Sequence, residues 1–341
     1  MPTRVTVAIP TLAADEAFLD CLRSLEAQTF RQFDVILIDN SGADRAHASG
    51  LLRTLSGTLE IRVISNQHNL GFGAAINQAF RTSVSPYLAP LNDDAIAHPG
   101  WLQALVDFAD QHPKTGMLAS QVRLAGTDTL DSAGMLLAAD GSSKQCGHAQ
   151  SADDFGQPAD ALFPSGSAAL YRRDMLEDVG AFDDSFFLYC EDSDLGLRAR
   201  WAGWDCKFVP QAIVEHRYSH SAGRASALKA FYVERNRLYL TVKTFPARML
   251  WLVPLAAMVR YGWHVVAMFS GQGKGAEYRE AGNSAAMLPW FVLRAHWAAL
   301  CNLPTLLRAR RSIFANRRIS VPEFVALAHR HSISLRMVAT L

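Results

Sequence analysis

Charged residues are scarce in this chain, 19% of 341 residues against the roughly one quarter usual for soluble proteins. Mean hydropathy is slightly positive, at +0.04. A long apolar run is nevertheless absent. Pro254, Arg260 and His264 interrupt the strongest candidate, so nothing reaches the roughly 20 residues that a membrane-spanning helix needs. The start of the chain, Met1-Pro2-Thr3-Arg4, carries no apolar leader, and no secretory signal is expected. Five cysteines (Cys21, Cys146, Cys190, Cys206 and Cys301) form no Cys-x-x-Cys pair and leave one over. Free thiols in a reducing compartment are expected rather than a disulfide framework. Internal repeats are also missing.

Acidic residues are absent where they would be most noticed. Between Ala281 and Pro322 there are six arginines and no acid, and from Arg235 to Pro322 there are thirteen basic residues against two acids. Residues 1–234 show the reverse, 18 basic and 29 acidic, so a net charge of +1 conceals two oppositely charged parts. Such a division suits a C-terminal part facing an anionic surface.

The first 120 residues alternate strand and helix patterns. Val5–Ile9, ending at Pro10, reads as a buried strand, and Asp34–Asp39, Ile61–Ile64 and Tyr87–Leu91 read as the next three strands. Helices are expected around Phe18, Leu19, Leu22 and Leu25, over 74–84, and around Trp101–Ala109. This alternation predicts an α/β fold with a mainly parallel, covered sheet. Residues 125–164, rich in Gly, Ser, Asp and Ala, read as irregular structure or a flap. Beyond 224 helices are expected. One carries a stripe of Leu228, Phe231, Leu238 and Val242 with Arg235 in an apolar slot. Two domains follow, 1–223 and a basic, partly amphipathic helical region at 224–341.

Ligands of such sheets gather beyond the carboxyl ends of the strands. Asp39-Asn40, Asn69 to Gly73, and Asn92-Asp93-Asp94 all fall there. Carboxylates at that edge suit a hard divalent cation, Mg²⁺ or Mn²⁺, which takes oxygen ligands and phosphate; an ordinary Asn-Asp turn is the alternative. A second acidic cluster is Glu191-Asp192-Ser193-Asp194, after the apolar Phe186–Tyr189. Three acids in four positions either complement a helix N-terminus or include a general base in a partly enclosed site. Asp192 is the candidate base, with Glu191 and Asp194 as accompanying site acids. His216 ends the strand Ala212–Glu215 and joins this set.

Taken in order, these segments resemble family 2 glycosyltransferases, in particular a rhamnosyltransferase-like bacterial branch. The matching pieces include Val7-Ala8-Ile9-Pro10-Thr11, Leu37 to Gly42, Asn69 to Asn77 and Leu91 to Asp94. The block from Gly166 to His216 and Glu234-Arg235-Asn236-Arg237 complete the set, covering about Val5 to Pro246. The resemblance implies the GT-A fold, a Rossmann-like sheet, and inverting transfer of a sugar from a nucleotide-sugar donor. It implies that Asp39 holds the donor base with Pro10 and Thr11 beside it. Gly71 and Gly73 would let the backbone approach the diphosphate, with Asn69 in that loop and Asn77 bracing it. Asn92 and Asp93 would lie against the donor. Asp94 and His216 would be the metal ligands and Asp192 the base. Asn92 departs from the family's first metal-site Asp, so it is expected to contact ribose. Arg235 either reaches the diphosphate or belongs to a structural ion pair.

A nucleotidyltransferase can share such a sheet but usually carries a glycine-rich, basic loop after its first strand. Pro10-Thr11-Leu12-Ala13-Ala14 has neither feature. A non-catalytic sugar-nucleotide-binding scaffold is the other alternative, opposed by the joint presence of Asp94, Asp192 and His216. Nucleic acid is not an expected partner, since no recognition module is present. The branch favours dTDP-rhamnose as donor, UDP-sugars next and GDP-sugars behind, with a lipid-linked or cell-surface glycan as acceptor. The basic C-terminal helices are expected to lie on a membrane surface, placing a cytoplasmic protein at the inner face of the cytoplasmic membrane. Trp251, Trp263, Trp290 and Trp297 serve an oligomer interface equally well.

Overall fold

The computed structural model describes residues 2–217, 226–280, 282 and 284–340. The expected domain boundary at 223/224 lies outside these residues. The chain divides into two compact units that interleave in sequence. One comprises Met1–Met135, Gln145–Phe187 and Trp204–Ser221; the other comprises Leu136–Lys144, Leu188–Gly203 and Ala222–Leu341.

The first unit is built on strands β1 (Val5–Thr11), β2 (Phe33–Asp39), β3 (Ile61–Ser65), β4 (Tyr87–Pro90) and β5 (Ala95–Ala97). These are followed by β6 (Thr115–Leu124), β7 (Leu130–Ser132), β8 (Met135–Leu137), β9 (Ser143–Gln145), β10 (Ala159–Asp160), β11 (Ala169–Arg172) and β12 (Asp205–His216), of which β8 and β9 fall mostly in the second unit. Ten of them form one sheet in the order β10-β12-β6-β11-β4-β1-β2-β3, with β5 on β12 and β7 on β6; β8 and β9 pair separately. The half made of β3, β2, β1 and β4 is parallel, as the sequence pattern predicts. Antiparallel β11 is inserted between β4 and β6, while β6 and β12 are parallel. Helices α1 (Glu16–Glu26), α2 (Arg45–Ala48), α3 (Phe72–Thr82), α4 (Trp101–Gln111) and α5 (Arg173–Val179) lie between these strands in sequence.

β1 is central and almost wholly buried: Val5, Val7, Ala8 and Ile9 are apolar, and buried Thr6 is hydrogen-bonded to Asp34 and Ser85. It also runs through Pro10. Ala8 bonds to the β4 side through Leu91 N. The same parity aims the missing donor of Pro10 past the end of β4, where no ladder partner is required. In β12 a register shift between Val209 and Ile213 brackets Pro210 for a similar reason.

Residues 125–164 are largely irregular, as composition suggests, but short strands and buried side chains tie them down. They contain β7 to β10, and Asp131, Ser132, Leu162 and Phe163 are buried there. Glycine and serine serve this segment's tight turns. Ser132, for example, accepts from Gly134 N and donates to Gly134 O.

The second unit is helical: α6 (Glu191–Trp201), α7 (Ala227–Thr244), α8 (Ala247–Leu250), α9 (Val253–Phe269), α10 (Gly273–Glu280), α11 (Leu288–Cys301), α12 (Leu303–Ala315), α13 (Val321–Arg330) and α14 (Leu335–Thr340). Trp201 stacks on Phe324 at 4.1 Å and tilts against Phe314 at 4.8 Å, joining α6 to α12 and α13. Ser320 and Glu323 form a reciprocal cap that starts α13.

The expected apolar stripe of α7 is not its buried face. Leu228 is exposed, Phe231, Leu238 and Val242 are half-buried, and the buried set is Glu234, Asn236, Arg237, Tyr239, Leu240, Thr241, Lys243 and Thr244. Tertiary partners make this face tenable. Arg237 pairs with Glu234, and Arg260 of α9 reaches Glu234 at 2.7 Å and Asp140 at 2.5 Å. Lys243 meets Asp194 at 2.6 Å. Arg237 is thus part of a buried ion-pair network. Arg235 lies over the rings of Tyr232 (4.6 Å) and Tyr239 (5.0 Å).

Candidate active site

In the first unit, Asp94 and His216 come together through strand register. Asp94 immediately precedes β5, and β5 pairs with β12 so that Ala95 stands opposite His216. Asp94 Oδ1 and His216 Nε2 are 3.2 Å apart, and Asn92 Nδ2 is 3.1 Å from the same nitrogen. Asp93 and Asp94 are both buried, Asp94 at 5% exposure.

The other ring nitrogen reveals a residue that sequence reasoning missed. His216 Nδ1 lies 3.0 Å from Asp131 Oδ2, and His148 Nδ1 is 3.3 Å from Asp131 Oδ1. Asp131 is on β7, which folds back against β6, and is buried at 2% exposure. Burial opposes charging His216, but hydrogen bonds and charges from Asp131 and Asp94 outweigh it and raise its pKa to about 10. Burial also opposes ionisation of Asp131, yet its two histidine partners hold its pKa below the usual value. Both ring nitrogens of His216 thus face carboxylates. No motif marks Asp131, because its role arises from the β6–β7 reversal.

Asp94 and His216 fit a divalent cation. Ligands at adjacent corners of an octahedron with bonds of about 2.1 Å stand about 3 Å apart, close to their 3.2 Å separation. Asp131 on Nδ1 would leave Nε2 as the coordinating nitrogen. Among the described residues no third His, Cys, Asp or Glu completes such a group. The remaining positions would suit phosphate oxygens and water, the usual complement of Mg²⁺.

The residues expected on the donor side lie at the ends of the parallel strands, with their side chains tied to the protein. Asp39 accepts from Ser41 N at 2.8 Å and Ala46 N at 2.7 Å, shaping the turn after β2. Thr11 ends β1 and is buried, with Pro10 beside it. Asn69 accepts from Gly71 N at 2.8 Å, and Asn40 donates to Gly71 O at 3.2 Å.

Gly71 has φ +88°, and a Cβ there would fall on the Phe187 carbonyl; that carbonyl accepts from Phe72 N at 2.9 Å. Gly73 similarly leaves room for the Phe182 ring. These glycines admit the 182–187 segment. Asn77 braces that same segment, donating to Phe182 O (2.8 Å) and Asp184 Oδ1 (2.7 Å) and accepting from Phe182 N (3.0 Å). The bracing expected within the glycine loop is directed there instead.

The acidic cluster belongs to the second unit, as the first turn of α6. Asp192 is the one residue of this helix that is not buried. Its Oδ1 accepts from Ser193 N at 2.6 Å. Asp194 points the other way: it is fully buried between Arg198 (2.8 Å) and Lys243 (2.6 Å). It therefore holds α6 to α7 and is not a solvent-facing site acid. Glu191 is buried, and its Oε2 has no hydrogen-bond partner among the described residues. Burial, assisted by the Asp192 charge, raises its pKa to about 8, so it is a neutral acid at pH 7.

The comparisons with known proteins agree with this fold and these motifs. A model of the family described as glycosyltransferase like family 2 matches residues 2–241. The N-acetylglucosaminyl-diphospho-decaprenol L-rhamnosyltransferase of Mycobacterium tuberculosis is 30% identical over 231 residues, 60% of this chain and 73% of that protein. Rhamnosyltransferase WbbL of Escherichia coli is 40% identical over 67 residues, 20% of this chain and 25% of the relative. Among solved structures, S. aureus TarS 1–349 in complex with UDP superposes with a TM-score of 0.51 at 16% identity, covering 96% of this chain and 90% of that one. GalNAc-T7 with UDP, GalNAc and Mn²⁺ gives 0.57 at 12% identity, covering 70% of this chain and 48% of that one. The fold is accordingly GT-A-like, with added C-terminal helices, and the chain belongs to glycosyltransferase family 2.

Proposed function

We propose that this glycosyltransferase moves a sugar, with inversion, from a nucleotide-sugar donor to a hydroxyl of a lipid-linked or cell-surface glycan. dTDP-rhamnose is the favoured donor and a UDP-sugar the next. The Asp94–His216 pair at the carboxyl ends of the strands carries this reading, supported by the rhamnosyltransferase relatives. Asp39, Pro10 and Thr11 are assigned to the base, and Asn92 and Asp93 to the ribose and diphosphate side. Arg235 is assigned to the diphosphate. A divalent cation, Mg²⁺ or Mn²⁺, bound by Asp94 and His216, would neutralise charge on the departing diphosphate.

Asp192 is assigned as the general base. Its carboxylate takes the acceptor hydroxyl proton as that oxygen bonds to the anomeric carbon opposite the nucleotide. The anomeric C–O bond breaks, and its electron pair leaves with the nucleoside diphosphate. Glu191, neutral beside it, can donate a hydrogen bond without competing for that proton.

The C-terminal helices suit an acceptor carried on a membrane. Among the described residues no helix is long and apolar enough to cross one. Trp251, Leu255, Met258, Val259, Val266 and Phe269 are all exposed, Trp251 at 85% and Phe269 at 80%. From Trp251, just before α9, to Phe269 at its end, their spacing forms one uncharged stripe. Arg308 and Arg311 of α12 are exposed as well. We assign this stripe to the surface of an anionic membrane.

Purified protein incubated with dTDP-, UDP- and GDP-sugars, with Mn²⁺, Mg²⁺ or EDTA, tests the central reading. Release of one nucleoside diphosphate, lost with EDTA and in Asp94→Ala, is the expected result. Turnover undiminished by EDTA would remove the metal assignment. Silence with every donor, together with no calorimetric binding of the free nucleoside diphosphates, would favour a scaffold.

A further inference from the structure

The turn leading into α6 is strained. Tyr189 (φ +70°) and Cys190 (φ +64°) are non-glycine residues in left-handed conformations, following Phe187 at +61°. Left-handed conformations at a β-branched or bulky residue cost of order 1–3 kcal/mol each and persist only where surrounding contacts enforce them. Cys190 is the N-cap of α6, and its side chain makes no capping bond. Something else must therefore hold this turn and so set where Glu191 and Asp192 emerge.

Asn236 of α7 does so. It is fully buried, and its Nδ2 donates to both Leu188 O (2.8 Å) and Tyr189 O (2.7 Å). Its Oδ1 accepts from Arg235 Nε at 2.8 Å, fixing the amide's orientation. Arg235 is itself held over the rings of Tyr232 and Tyr239. Both amide hydrogens are thus spent on consecutive carbonyls of the strained turn, an arrangement that no aliphatic or acidic side chain reproduces.

We propose that Asn236 is a positioning residue that clamps the 188–190 turn and thereby aims Asp192 at the acceptor hydroxyl. This rests on Asp192 being the base, and the experiment separates the two. Cys190 supplies an independent readout. Cys190 is half-buried, and desolvation of its thiol, with the Asp192 and Glu191 charges adding to the effect, holds its pKa well above the ordinary value; with little thiolate present it should label slowly while the clamp holds.

The full-length protein is compared with Asn236→Ala, Asn236→Ser, Asp192→Asn and Leu240→Ala, the last being buried on the same helix. Maleimide labelling of the Cys190 peptide is followed by mass spectrometry, alongside donor turnover and thermal melting. Asn236→Ala is expected to label at least about tenfold faster and to lose roughly ten- to a hundredfold in kcat, the penalty of slight misplacement, with donor KM within about twofold. Asn236→Ser, which can still donate one hydrogen bond, should recover part of both. Leu240→Ala should lower the melting temperature with Cys190 still protected. Protected Cys190 in Asn236→Ala, or labelling with kcat intact, overturns the proposal. Full turnover in Asp192→Asn removes the base assignment on which it rests.

Discussion

His216 shows how much of this protein is decided around single side chains. Its Nε2 faces Asp94 and its Nδ1 faces Asp131, so in the proposed metal site the outer carboxylate would select which nitrogen meets the cation. Asp131→Asn preserves the shape but weakens that selection. Mn²⁺ affinity, read by calorimetry without donor, should fall about 10- to 100-fold; unchanged affinity would show that the ring is oriented by other means. Glu191 gives a prediction about stability. Its pKa rises from 4.5 to about 8 on folding, so the folded state binds the proton more strongly than the unfolded chain. The stability contribution of this group is complete below about 4.5 and is lost as pH rises through about 8. Glu191→Gln cannot lose that proton. Urea midpoints at pH 5 and pH 9 should therefore show the variant gaining on the parent at the higher pH, and parallel behaviour would mean that Glu191 titrates normally.

Among the elements, α3 and the 182–187 segment depend on each other. Gly71 begins α3 at φ +88° with the Phe187 carbonyl where its Cβ would be. Asn77, two turns into the helix, then binds Phe182 and Asp184. Gly71→Ala must both strain the backbone and displace Phe187, costing about 1–3 kcal/mol for the conformation alone. We expect a lower melting temperature together with weaker nucleoside diphosphate binding; a fully stable variant would show that the segment readily moves aside. The Asn69 to Asn77 motif was legible in the sequence, but its partner was not, because residues more than a hundred positions apart meet there. Helix α7 teaches the converse. Helical periodicity selected Leu228, Phe231, Leu238 and Val242, yet the buried side carries Glu234, Arg237 and Lys243. A periodicity count assumes that burial favours apolar groups, and it fails where Asp140, Asp194 and Arg260 supply buried partners.

For the whole molecule, the uneven charge and the exposed stripe of α9 lead to one prediction. Leu255→Glu places an acid in the middle of that stripe, which contains Trp251, Met258 and Phe269 and is exposed. Sedimentation with vesicles containing anionic phosphatidylglycerol should show weakened binding, while hydrolysis of a soluble donor stays the same. Retained vesicle binding with a changed oligomeric mass would assign the stripe to contact between copies instead.

Much was settled by local sequence. Buried strands such as Val5–Ile9 and Asp34–Asp39, the helices near Phe18 and Trp101, and the polar clusters ending the strands follow from periodicity and turn chemistry, which act over a few residues. The same motifs pointed to the family. Tertiary structure decided the rest. It brought Asp131 to His216, directed Asp194 inward and left Asp192 as the accessible acid, and placed four short strands within residues 125–164. These outcomes depend on register and on buried charges finding partners far along the chain, and neither leaves a short-range pattern in the sequence.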